Sequence, residues 1–270
     1  MDLATTADDV ENLFATKGRA KTELATWKSK RPRHVVNRVM KHVSVTPYKV
    51  RSEQFESFVP GHPLEHITPE EAYRVEQIRD WFPDFAMVHL FHFLLELKGD
   101  LFTFEEFRMF CKNDPAGLQF NHQSQDKIRE LVERETWDPQ MARRSMMWRV
   151  GNGYYSFLRE LYLVSRLREA KLDARIHPLA DALFRVDAWC DRATIEMFIS
   201  SKQFKQGKDG RKRTPSYYLE DQPGFGYLRL EMESQHKWGV LHLPTHQEIE
   251  GCITEVRSWL RKNHIPSANQ

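Results

Sequence analysis

GYYSFLRELYLVSRLREAKLDARIHPLADALFRVDAWCDRATIEMFI, residues 153–199, is the stretch on which the fold turns. From Tyr154 to Lys171 its apolar residues recur at helical spacing and predict a strong helix. Ala174–Ile176, Leu183–Trp189 and Thr194–Ile199 are then short runs of β type, separated by Pro178 and by Cys190-Asp191-Arg192. Further on, Gly226–Glu231 and Trp238–Leu243 read as two more strands. Thr245-His246-Gln247-Glu248 is a capping box, and behind it Ile249, Cys252, Ile253, Val256, Trp259 and Leu260 form one apolar stripe of a closing helix. A helix, three strands, a loop, two strands and a helix predict an α/β or α+β domain over residues 151–270, with helices packed on a mixed sheet.

Upstream of Gly151 the pattern is helical. Thr68-Pro69-Glu70-Glu71 and Thr103-Phe104-Glu105-Glu106 are capping boxes, and Asp138-Pro139 is a further helix start, with Pro at the first helical position. After the first box Ala72, Val75, Ile78 and Trp81 share a face until Pro83 ends it. Phe85–Lys98, Thr103–Lys112, Ser124–Trp137 and Asp138–Val150 complete a helical domain over residues 53–150. Short helices beside a basic segment are compatible with a helix-turn-helix reader, but no recognition-helix signature is present, and a helical packing domain is the favoured reading.

The net charge of +2 conceals an asymmetry. Residues 17–51 hold eleven Lys or Arg and one acid, Glu23, so that segment carries +10 and the rest of the chain −8. Residues 1–52 are therefore read as a basic N-terminal arm, with Lys28, Lys30, Arg31 and Arg33 at its centre. Such an arm is either solvated, bound to an acidic protein, or laid along phosphates with release of counterions. A second basic run, Lys202, Lys205, Lys208, Arg211, Lys212 and Arg213 around Gly207 and Gly210, reads as a flexible loop able to hold a nucleic-acid backbone.

Several classes are excluded. The three cysteines, Cys111, Cys190 and Cys252, are odd in number and have no C-x-x-C pair, which argues against a disulfide framework and a zinc knuckle. His236, His242 and His246 alternate between loop, strand and helix cap, a poor zinc set. Phosphate-binding glycine loops and the G-x-S-x-G nucleophile turn are absent. The longest apolar run, Phe85–Leu97, is broken by two His and a Glu, and the acidic N-terminus is unlike an export signal, so a cytoplasmic protein without a membrane span is expected.

Three carboxylates occupy places where acids are costly unless used. Glu160 shares a helix face with Phe157, Val164 and Leu167, while Asp187 and Glu196 fall inside β-type runs. If Asp191-Arg192 is a two-residue hairpin loop, Cys190 pairs with Ala193 and Asp187 faces Glu196, with Cβ atoms about 5 Å apart. Opposed like charges call for a cation between them, and magnesium or manganese, with oxygen ligands and an affinity for phosphate, is the expected one. An edge hairpin with its polar face in solvent is the alternative.

These residues resemble the core of the PD-(D/E)XK, or restriction-endonuclease-like, superfamily: a helix bearing Glu, a hairpin with Asp on its first strand, and E-x-K on its second. The resemblance covers about 50 residues. It implies Glu160 as helix acid, and Asp187 and Glu196 as the metal-holding pair of a DNA endonuclease that hydrolyses phosphodiesters, with protein partners for targeting. Phe198 stands where the family has Lys. Three readings follow. Arg185 supplies the cation, a loop lysine such as Lys202 or Lys205 supplies it, or the chain is an inactive nuclease-fold subunit that binds nucleic acid or assembles a DNA-processing or defence complex. An adaptor whose basic arm binds an acidic protein is a further alternative. His177 and Asp181 precede the hairpin as weaker candidates, and Glu169 reads as a surface ion-pair residue.

Overall fold

The computed structural model describes residues 3–61, 75–200, 213–233 and 241–263, and these fall into two compact units. One unit takes the described parts of 1–57, 159–236 and 242–270; the other takes those of 58–158 and 237–241. Among the described residues no helix is long and apolar enough to cross a membrane.

The first unit carries the sheet. Strands β1 (Thr5–Thr6) and β2 (Val43–Ser44) form a small antiparallel pair. The main sheet has four strands in sequence order: β3 (Ala174–Arg175), β4 (Ala188–Cys190), β5 (Ala193–Ser200) and β6 (Gly226–Glu233). The first two pairings are antiparallel and the β5–β6 pairing is parallel. The sheet is therefore mixed, as expected. The two-residue turn Asp191-Arg192 sets Cys190 against Ala193, in the anticipated register, with Asp191 in the left-handed region at φ 52°. The closing helix His246–Lys262 begins at the Thr245 capping box and buries Ile249, Cys252, Ile253, Val256 and Leu260.

Two segments differ from the sequence reading. Residues 178–184, part of which reads as strand, form a short helix, Pro178–Phe184, so Asp187 stands just before β4 and Arg185 is a helix cap. The reason is local: Pro178 is pre-organised for a first helical turn, and the His177 ring caps it by accepting from the Leu179 N–H at 3.1 Å. The basic N-terminal segment, read as an arm, is folded into the helices Ala7–Phe14, Gly18–Lys30 and Arg33–Met40. Val10 and Phe14, Ala20 and Leu24, and Val35 and Val39 are buried pairs spaced by four beneath the charge. Phe14 packs edge-on against Trp189 of β4 at 5.3 Å, and the Tyr48 hydroxyl donates to Ile176 O at 3.0 Å while accepting from Ile176 N–H at 3.1 Å.

The second unit is helical, as its caps predict. Met87–Lys98, Phe104–Asn113 and Pro115–Arg134 surround an aromatic cluster in which Phe91 meets Phe107 at 4.8 Å and Phe157 at 5.6 Å. The Thr103 box closes in both directions, with Glu106 N–H on Thr103 Oγ1 at 3.2 Å and Thr103 N–H on Glu106 Oε2 at 2.7 Å. The Thr68 box lies outside the described residues, as do residues 238–240 of the expected strand Trp238–Leu243, and its remaining residues, 241–243, are not strand. One helix, Pro139–Glu169, runs unbroken through Gly151 and Gly153, where the sequence suggests a break. Each glycine costs about 1 kcal/mol, too little to interrupt 31 residues supported by packing. The chain changes unit inside this helix, after Leu158, rather than at Gly151.

Candidate metal centre

Three elements of the sheet-bearing unit deliver one carboxylate each to a single place. Glu160 comes from the helix Pro139–Glu169, Asp181 from the short helix Pro178–Phe184, and Asp187 from the residue preceding β4. One ligand oxygen of each lies within 4.8 Å of the others. Glu160 is only 5% exposed, and the two aspartates are half-buried.

The local fold explains the convergence. Arg185 ends the short helix in the left-handed region, at φ 61°, and turns the chain into β4. Asp181 and Asp187, six residues apart, are thereby carried to the same spot. Asp187 is held from two sides: its N–H donates to Ile195 O at 3.2 Å, and its Oδ2 accepts from Met197 N–H at 2.7 Å. The hairpin thus fixes one oxygen of that carboxylate with a β5 amide.

The donor set consists only of carboxylate oxygen, with no imidazole or thiolate. It suits a hard divalent cation such as Mg²⁺ or Mn²⁺ and not a zinc site. Without a cation or a proton, three carboxylates this close repel one another, and burial of Glu160 strengthens the effect.

Of the residues singled out from sequence, Glu160 and Asp187 come together, and Asp181, the weaker candidate, joins them. Glu196 does stand across from Asp187 in the continued register, but its carboxylate is turned toward β6, where Oε2 lies 3.8 Å from Arg229 Nε. Arg185 leaves the β4–β5 ladder and has no strand position opposite Phe198. Arg229 stacks on Phe198 instead, with its guanidinium carbon 4.1 Å from the ring centroid. Nothing in the local sequence pattern pointed to Arg229. It reaches Glu196 through the parallel β5–β6 register, which is set by a long crossover.

The other candidates have structural partners. His177 is fully buried; its Nδ1 caps the short helix and its Nε2 donates to His42 O at 3.3 Å. Burial pushes its pKa down to about 4, consistent with a neutral ring making both bonds. Glu169 accepts from the Ser52 N–H at 3.0 Å and the Ser52 hydroxyl at 2.9 Å. Cys111, Cys190 and Cys252 are buried and form no disulfide.

Among the basic residues, Lys30 and Arg33 are exposed, Arg31 is half-buried, and Lys28 pairs with Glu11 at 2.5 Å. Arg213 lies over the Tyr217 ring at 4.2 Å, and Arg19 contacts the same ring at 3.8 Å. Lys202, Lys205, Lys208, Arg211 and Lys212 lie outside the described residues. No protein-family model, curated protein or solved structure matches the chain.

Proposed function

We propose that the protein is a divalent-metal-dependent endonuclease of the restriction-endonuclease-like type, acting on DNA by phosphodiester hydrolysis, with protein partners for targeting. The observation that carries this reading is the convergence of Glu160, Asp181 and Asp187 within 4.8 Å, beside a hairpin whose register sets Asp187 across from Glu196. A helix acid followed by a hairpin acid is the order that the resemblance implies, and the β4–β5 register is the one the two-residue turn predicts. Asp181 is an addition to it.

In this reading Glu160, Asp181 and Asp187 hold Mg²⁺ or Mn²⁺, which supplies Lewis-acid polarisation of a phosphoryl oxygen and lowers the pKa of a bound water. The Met197 amide keeps Asp187 oriented, so that the carboxylate arrives with one rotamer and little reorganisation. Burial of Glu160 lowers the local dielectric and strengthens the pull of the acidic group on a cation. Lys30 and Arg33, exposed on the N-terminal helices, supply sequence-independent contact with backbone phosphates.

The second reading is an inactive nuclease-fold subunit that binds nucleic acid. Phe198, at the position where the resemblance implies Lys, favours it. Incubation with supercoiled plasmid and with linear duplex, in Mg²⁺, Mn²⁺ or EDTA, separates the two. An endonuclease gives metal-dependent nicking that disappears in Asp187→Ala and in Glu160→Gln. The absence of cleavage in every metal, with salt-sensitive binding retained, sinks the catalytic reading and leaves the binding subunit.

A further inference from the structure

Strand register lines up three residues across the sheet. Asp187 stands one position beyond the last β4–β5 pair, Ala188 with Ile195, and so opposite Glu196; Glu196 is itself paired with Arg229 on β6. Neighbouring strands lie about 4.8 Å apart, so the row spans roughly 10 Å from Asp187 to Arg229. Asp187, at one end, belongs to the acidic group, and at the other end is a guanidinium seated on the face of Phe198. The Arg229 side chain is 47% exposed, so a ligand has access to its donors.

The contact between Glu196 and Arg229 is loose. At 3.8 Å it is longer than a hydrogen bond, and pairs this exposed hold weakly in water. Phe198 keeps the guanidinium in place by stacking, whichever way Glu196 points. Glu196 is also the acid that register brings nearest to Asp187, yet it lies outside the group of three. A carboxylate between a cation site and an arginine has two partners to choose from, and its choice decides whether the arginine is available.

We infer that Arg229 is the phosphate-binding cation of this site, held in reserve by Glu196: when Glu196 turns to the cation bound with Asp187, the guanidinium is released to a backbone phosphodiester. The inference rests on the proposed metal centre and adds to it a coupling between cation and DNA binding. Arg229 contributes charge and two-pronged hydrogen bonding and no proton transfer, because a guanidinium stays protonated at neutral pH. Phe198 acts as its platform, so an aromatic residue at that position is part of the arrangement.

The test reads binding without turnover. Affinity of the full-length protein for a short labelled DNA duplex is measured by fluorescence anisotropy in EDTA and in Ca²⁺, another hard cation of oxygen sites, and affinity for Ca²⁺ alone by calorimetry. The wild type is expected to bind DNA at least fivefold tighter with Ca²⁺. Arg229→Ala should lose that gain while its own Ca²⁺ affinity stays within about twofold, and Arg229→Lys should keep part of it. Glu196→Gln should bind DNA more tightly than wild type in EDTA, because its arginine is no longer held back. Full retention of the Ca²⁺ gain in Arg229→Ala, or no gain in a wild type that does bind Ca²⁺, overturns the inference and leaves the metal centre standing. A wild type that binds neither Ca²⁺ nor, in the same calorimetry, Mn²⁺ removes both.

Discussion

Three carboxylates whose oxygens lie within 4.8 Å of one another repel unless positive charge lies among them. Glu160→Gln removes one of these charges and keeps the side chain's size, so it should remove Mn²⁺ binding in calorimetry while the urea unfolding free energy of the metal-free protein stays within about 1 kcal/mol of the wild type. His177 illustrates the other kind of buried polar residue, one fully employed in structure. Its pKa lies at about 4 in the fold because burial disfavours the charged ring, against the ordinary value of 6.5 when unfolded. Between those values the unfolded chain binds the extra proton. The stabilising effect of the neutral ring is therefore complete above pH 6.5 and is lost as pH falls to about 4, roughly 3 kcal/mol in all. His177→Asn keeps a capping oxygen and removes the titration, so the fall in urea midpoint between pH 7 and pH 4.5 should be smaller in that variant than in the wild type.

Elements, more than residues, were legible in the sequence. The Thr103 and Thr245 boxes and the Asp138-Pro139 start mark true helix beginnings because capping is a local contract between a few neighbouring atoms. The Asp191-Arg192 hairpin was readable for the same reason. The Pro178–Phe184 helix was not, because Phe184, Val186 and Ala188 alternate with Arg185 and Asp187 in imitation of a strand while the His177-Pro178 start outweighs it. Asp181 reaches the site only through that helix, and Arg229 only through a parallel pairing with 25 residues of chain between its strands, so neither position follows from local pattern. Packing of the closing helix on β6 depends on a missing side chain. A Cβ at Gly226 would fall inside the indole of Trp259, so Gly226→Ala should cost about 1–3 kcal/mol. Trp259→Leu removes the clash, and a double-mutant cycle by thermal unfolding should recover most of that loss when both changes are combined.

For the molecule as a whole, charge placement and the acidic group make separate predictions. Residues 17–51 carry +10 on a folded segment that includes the helices Gly18–Lys30 and Arg33–Met40, and neutralising Lys30, Arg31 and Arg33 to Gln should lower the slope of log affinity for DNA against log salt by about 2 to 3, since each lost phosphate contact removes roughly 0.9. Lys28, already paired with Glu11, should contribute little to that slope. An adaptor for an acidic protein would show no salt-dependent DNA binding. The central claim is that Glu160, Asp181 and Asp187 form a cation site. Its most direct measurement is calorimetric titration of the purified protein with Mn²⁺, beside Glu160→Gln and Asp187→Asn. The account predicts binding by the wild type with a rise in melting temperature, about 2.7 kcal/mol of stabilisation at a hundredfold excess over Kd, and loss of both in each variant. Equal Mn²⁺ binding by wild type and variants, or none by a folded wild type, would contradict it.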